Sequence, residues 1–305
     1  MTDRIRLAND KIQGIPKDST CYKILNAMLN GYNDTQFQGY GETRKIIVDD
    51  ILNSKNLEEL SQLYDDSFLV PMRARPSSAT RRIQNQEDSN SDSSSFNSSA
   101  FMKMVRERDA DKCVLTGDSD ISTASVIRNL FEVAHFIPQS LLDNRKDSDV
   151  RKKAKRSIRD FIKRLCPWIP NNFFEQLDIC ENGILLNPIA HKYFDAFEWF
   201  VTTENGSDGN TIYRAMQVEE NGLLKLKNTR REVSLDTGGF DLLSSYNQPL
   251  YIGNSHPQPG EIYVRLHELL ARIFKMRGQA DYYEIDSDDE YEPLDNSEIM
   301  EKMAS

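Results

Sequence analysis

The chain is poor in the residues that would staple it or thread it through a membrane. Its four cysteines, Cys21, Cys113, Cys166 and Cys180, are widely spaced and form no Cys-x-x-Cys pair. That argues against a disulfide framework and against a zinc ribbon, and suits a reducing compartment. No apolar run approaches the roughly 20 residues of a membrane span, and the opening MTDRIRLAND has no signal-peptide apolar stretch. A non-secreted, intracellular protein, nuclear or cytoplasmic, is expected. A glycine-rich phosphate loop is missing from the N-terminal part, which contains no histidine. The whole chain has only four histidines in 305 residues.

Positive charge is outnumbered overall, 38 Lys and Arg against 48 Asp and Glu, but not everywhere. The formal net charge is −10, yet residues 281–305 carry ten acids against Lys302, which is −9, so the remainder sits near −1. Local fields therefore decide what binds. In RKDSDVRKKAKRSIRDFIKRL (145–165), ten bases face three acids, and Val150, Ala154, Ile158, Phe161, Ile162 and Leu165 recur at helical spacing. This predicts a basic amphipathic helix able to track phosphates, with Lys152, Lys153, Lys155, Arg156, Arg159 and Lys163 as nucleic-acid contacts. The tail from 280 to 305 is too charged to fold alone and is expected to be disordered. Its charge predicts an intramolecular contact with the basic helix, in imitation of nucleic acid.

Apolar periodicity divides the rest. Helices are expected at 20–30, at 42–53 and from Asn56 onward, with Glu59 in capping-box position; together they make a helical module over 1–72. Residues 73–99 are rich in Arg, Ser, Asn and Gln, with nine serines between Ser77 and Ser99, and read as a disordered linker. A larger domain is expected over 100–279. It opens with a helix at 101–109 and DKCVLTG as a strand ending in a turn at Gly117. A strand then runs from Leu130 to Ile137, stopped by Pro138, with His135 at its end. After Asp195 the pattern is strand, turn, strand, an Asn221-Gly222 turn and a further strand, then a helix over 261–276. His256 in a loop and His267 in that helix have no sequence neighbours that suggest a site.

The densest signal is NGILLNPIAHKYFD, Asn182 to Asp195. Asn-Gly marks a turn, Ile184 to Leu186 a short strand, and Pro188 the first turn of a helix. On that helix His191 and Asp195 stand at i and i+4, on one face, where an imidazole and a carboxylate can share a divalent cation. The plainer alternative is a carboxylate stabilising a protonated surface histidine.

Taken together, CVLTG, AHFIP and NGILLNPIAHKYFD resemble the HNH nuclease family, and closely resemble predicted fungal HNH proteins. The resemblance covers about 101–200, the core of the larger domain. It implies an α+β fold: a ββα-metal core, here with an inserted basic helix, preceded by the helical module and followed by a β-hairpin and helix extension and the acidic tail. It further implies that His135 is the general base, that Asn182 holds the hairpin loop and the histidine, and that His191 and Asp195 bind one divalent ion. Mg²⁺ is the first choice, with Mn²⁺, Ni²⁺ or Zn²⁺ as alternatives. The implied activity is metal-dependent phosphodiester cleavage, with DNA as partner; the alternative is a catalytically inactive HNH-fold module that binds nucleic acid or protein. One departure stands out. Many members have a metal ligand immediately before the base, whereas this chain has Ala134. Either two protein ligands suffice, or Glu132, on the same strand face, reaches the ion. Cys113, the remnant of a zinc knuckle in other members, reads as a buried thiol.

Overall fold

The computed structural model describes residues 2–31, 37–69, 94–118, 131–142, 148–207, 209–217 and 249–277. Outside them lie most of the expected linker, the Asn221-Gly222 turn with its following strand, Arg145, Lys146 and the acidic tail. In chain order the helices are α1 (Thr2–Gln13), α2 (Thr20–Asn30), α3 (Gln38–Asn53), α4 (Leu57–Tyr64), α5 (Ser94–Arg108), α6 (Asp149–Leu165), α7 (Pro188–Asp195) and α8 (Glu261–Met276). The strands are β1 (Glu132–His135), β2 (Gly183–Leu186), β3 (Trp199–Asn205) and β4 (Thr211–Gln217). Helices and small antiparallel sheets make the fold α+β. Among the described residues, no helix is long and apolar enough to cross a membrane.

The chain forms two compact units: residues 1–85, 138–177 and 272–305 in one, and 86–137 with 178–271 in the other. In the first, α2 is capped by the Ser19 hydroxyl accepting from Tyr22 N–H, and α4 by Asn56 accepting from Glu58 and Glu59. Helix α1 has little sequence signature, since only Ala8 and Ile12 are buried. Asp50 ties three helices together: it accepts from the Tyr64 hydroxyl at 2.8 Å and from both Arg164 terminal nitrogens at 3.1 and 2.8 Å. The expected basic helix is present as α6, and its apolar stripe is completed here: Ile158, Phe161, Ile162 and Leu165 are buried, with Phe161 edge-on to Tyr64. Sequence spacing assigns α6 to the domain of His135; by contact it groups with the N-terminal helices, because they supply this apolar partner. Three of its cations hold its own surroundings. Lys155, Arg159 and Lys163 donate to the carbonyls of Leu142, Leu141 and Asn171 at 2.7, 2.7 and 2.6 Å.

In the second unit, β1 and β2 form a hairpin in which Glu132 faces Leu186 and His135 faces Gly183. One face packs on α5 through Phe101, Val105, Val133, Cys180 and Leu185. The other meets α7. Both faces are thus covered, which is why β2 is apolar and buried at every position. Helix α5 starts at Ser94, inside the stretch read as linker. DKCVLTG forms no strand: three apolar residues are buried by a turn, closed by Gly117 N–H to Cys113 O at 2.8 Å, with Gly117 at φ +75°. Val114 reaches the hairpin, donating to Leu185 O at 2.9 Å. The predicted strand pair after Asp195 is β3 with β4. All four cysteines are buried free thiols.

Candidate active site on the hairpin and its flanking helix

Alternation along β1 sends its side chains to two sides. Val133 and His135 face α5, where the His135 ring stacks on Phe101 at 4.6 Å between centroids. Glu132 faces α7, where it meets His191. Ala134 shares the Glu132 side and is fully buried.

The His135 ring is held by a residue that sequence reading misses. Its Nε2 lies 3.0 Å from Asp178 Oδ1, with side-chain exposures of 22% and 8%. A carboxylate accepts, so this contact suits a His135 ring with its proton on Nε2. Asp178 comes from the chain returning to the hairpin, four residues before Asn182.

Asn182 is fully buried and acts on the backbone. Its Oδ1 accepts from Ile137 N–H and its Nδ2 donates to Ile137 O, each at 3.0 Å, while its own carbonyl accepts from Phe136 N–H at 3.0 Å. The strand end just beyond His135 is thereby clamped to the hairpin. Sequence reading places an Asn-Gly turn here; instead a 3-10 turn over Cys180–Asn182 leads into Gly183 at φ −138°, an ordinary extended conformation. Glycine is required for closeness, since a Cβ at Gly183 would stand 2.7 Å from the Phe101 ring.

Beneath the hairpin lies a buried ion pair, also unsignalled. Arg108 donates through Nε and an Nη to Asp109 at 2.7 and 2.9 Å, and both side chains are fully buried. The same guanidinium donates to the carbonyls of Cys180 (2.9 Å), Gly183 (2.7 Å) and Pro257 (3.3 Å), and Asp109 accepts from Leu185 N–H at 3.0 Å. Burial pushes the Asp109 carboxyl above its ordinary range despite the opposing pull of Arg108 and the Leu185 amide.

Helix α7 follows the local chemistry of its sequence. Asn187 caps it, accepting from Ala190 N–H at 2.8 Å, and Pro188 opens its first turn. It is anchored by Phe194, which stacks on His267 at 4.0 Å and packs against Phe136 and Trp199. His267 is thus a core ring, while His256 meets Glu107 at 2.9 Å on the surface.

His191 is buried, with a carboxylate at each nitrogen: Glu132 Oε2 at 2.7 Å from Nδ1, and Asp195 Oδ1 at 3.3 Å from Nε2. Burial opposes charging the ring, but the hydrogen bonds and charges of Asp195 and Glu132 outweigh it, and the His191 pKa is raised. The His191 and Asp195 donors are close enough to share one ion, and Asp195 remains 23% exposed. Glu132 does reach His191, but at the opposite nitrogen, so it cannot bind an ion held on Nε2. Among the described residues, no three His, Cys, Asp or Glu side chains converge on a metal position. Glu132 instead has the geometry of an outer partner that fixes which nitrogen of His191 is the ligand.

The sequence-selected residues thus form two clusters, His135 with Asp178 and Glu132–His191–Asp195, each with one member on β1. The six candidate nucleic-acid contacts lie on α6, in the first unit.

A comparison with protein families matches residues 113–202 to the HNH endonuclease family. No curated protein and no solved structure matches the chain significantly. The matched segment is under a third of the chain, and it contains both histidines, Asn182, Asp195 and the hairpin that carries them. Over this segment the chain is similar to the HNH endonuclease family.

Proposed function

We propose that the protein is a metal-dependent endonuclease acting on DNA. The observation that supports this best is the His191–Asp195 pair, with Glu132 occupying the other ring nitrogen and His135 at the end of the same strand as Glu132. His135 is the general base: its lone pair takes a proton from a water molecule as that water attacks phosphorus. Asn182 keeps the strand end fixed while this happens. His191 and Asp195 hold a divalent ion, Mg²⁺ in the first instance, with Mn²⁺, Ni²⁺ or Zn²⁺ as alternatives. The ion, when bound, neutralises charge on the scissile phosphate and on the departing oxygen. Purified protein with Mg²⁺, Mn²⁺ or Ni²⁺ is expected to nick plasmid DNA; nicking that survives His135→Ala overturns the assignment.

Lys152, Lys153, Lys155, Arg156, Arg159 and Lys163 of α6 are the proposed phosphate contacts, of which Lys153 and Arg156 are exposed. Replacing both by Glu is expected to weaken DNA binding and reduce the slope of log K against log salt by about 2. For the acidic tail, which lies outside the described residues, charge alone supports competition with DNA: removing residues 280–305 then tightens DNA binding at low salt. Unchanged affinity rules this out.

A second reading is favoured by Ala134, which is fully buried where many members of the family have a ligand: an HNH-fold module that binds nucleic acid or protein without turnover. Metal titration of the wild type and His191→Ala separates the two. Loss of both metal binding and cleavage in the variant excludes the second reading.

A further inference from the structure

The nitrogen that His135 offers to water depends on which nitrogen carries its proton, and that is decided by what the other nitrogen touches. Here Nε2 points at Asp178 Oδ1, 3.0 Å away, and the carboxylate is nearly buried. Phe101 covers the ring face at 4.6 Å with a 30° tilt, which restricts the imidazole plane. We propose that Asp178 is a positioning residue for hydrolysis: it fixes His135 as the Nε2–H tautomer and so presents Nδ1 as the base. The inference rests on the endonuclease reading above.

Nδ1 of His135 accepts a proton from water as the water oxygen bonds to phosphorus. The bond from phosphorus to the leaving oxygen breaks, and that oxygen takes a proton from solvent. The imidazolium now carries protons on both nitrogens, with Nε2–H still directed at Asp178, and it returns its Nδ1 proton to solvent. An ionised carboxylate in a poorly screened setting stabilises this cation more than water would. With Nε2 unheld, the neutral ring populates both tautomers, and the fraction with its proton on Nδ1 cannot act as the base.

Asp178→Asn is the sharp test, because it keeps the shape and removes the charge; the amide is free to turn its NH₂ toward Nε2 and force the other tautomer. With only four histidines in the chain, ring ¹⁵N shifts of selectively labelled protein, assigned with His135→Gln, report the tautomer directly at a pH where the ring is neutral. The wild type is expected to show Nε2–H for His135, and Asp178→Asn a shift toward Nδ1–H. In the same variant, kcat for an oligonucleotide is expected to fall by about 10² or more, with KM and Mn²⁺ affinity unchanged, and Asp178→Glu to recover part of the loss. A wild-type ring that is Nδ1–H, or one whose tautomer Asp178→Asn leaves unchanged, overturns the inference. A tautomer shift without loss of kcat overturns its catalytic part. A wild type that never cleaves DNA overturns the endonuclease reading, while the ring shifts still decide what Asp178 does to His135.

Discussion

Replacing Arg108 by methionine tests the idea that a buried ion pair sets the hairpin under both clusters. The side chain is fully buried and donates to Asp109 twice and to the carbonyls of Cys180, Gly183 and Pro257. Methionine fills similar space but donates nothing, leaving Asp109 with the Leu185 amide as its remaining described partner. Removing one partner of a buried pair costs about 3–5 kcal/mol, mostly through the uncompensated charge, against a total stability of about 5–15 kcal/mol. The loss is therefore a large fraction of what holds the unit together. Trp199 is fully buried in this unit, and Trp168 is the only other tryptophan. In a Trp168→Phe background, urea unfolding followed by fluorescence reports the hairpin's own unit. The pH dependence has a definite sign. Asp109 is an acid whose folded pKa already lies above its ordinary value, so the folded state binds the extra proton. Its contribution to stability is greatest below the unfolded pKa and declines as the pH rises through the folded one. Losing Arg108 raises the folded pKa further and widens that window upward. Adding Asp109→Leu to Arg108→Met removes the orphaned charge and is expected to recover part of the loss, though the Leu185 amide then goes unpaired at about 1–3 kcal/mol. An Arg108→Met protein within about 1 kcal/mol of its parent, with no added pH dependence, refutes the reasoning.

Three further outcomes follow from the same geometry. Glu132→Gln is expected to weaken Mn²⁺ binding about 10- to 100-fold by calorimetry, and unchanged affinity means Glu132 does not orient His191. Gly183→Ala drives a methyl into the Phe101 ring and is expected to cost about 1–3 kcal/mol in urea unfolding; a neutral result means α5 yields freely. Burial pushes the Cys166 thiol up to about 12 and raises Cys21 and Cys180 as well, and Cys113 is fully buried, so native protein at pH 8 should show no fast thiol with a disulfide reagent, and four after denaturation; a fast-reacting thiol contradicts this.

Much of this was legible where the controlling interactions are local. NGILLNPIAHKYFD encodes its own cap, its own helix start and the i, i+4 spacing of His191 and Asp195, and α7 follows from those. The bounds of α8 and the β3–β4 pairing were legible for the same reason. What was not legible depends on partners distant in sequence. Asp178 meets His135 across 43 residues, and Arg108 reaches Cys180 across 72; in the sequence each looks like any charged residue on a loop or helix end. The side of α6 that packs, and against what, depends on Tyr64, from the far side of the linker. DKCVLTG misleads because three apolar residues satisfy a buried turn as well as a strand.

Ala134 is where the two functional readings part, and it supplies a test that needs no cleavage assay. Position 134 lies on the same side of β1 as Glu132 and is buried, and Glu132 already touches His191. A carboxylate introduced by Ala134→Asp enters a fully buried position. In the absence of metal it is expected to cost about 3 kcal/mol or more and to lower Tm. If an ion sits at His191 and Asp195 beside this position, the new carboxylate becomes a third ligand, and binding returns free energy as RT ln(1 + [L]/Kd). Millimolar Mn²⁺ should then raise Tm in Ala134→Asp by clearly more than it does in the wild type, and the difference should vanish when His191→Ala is added. The same metal shift in both proteins would mean that position 134 does not adjoin an ion. The alanine would then be a packing residue of a binding module, and not a ligand position that this chain does without.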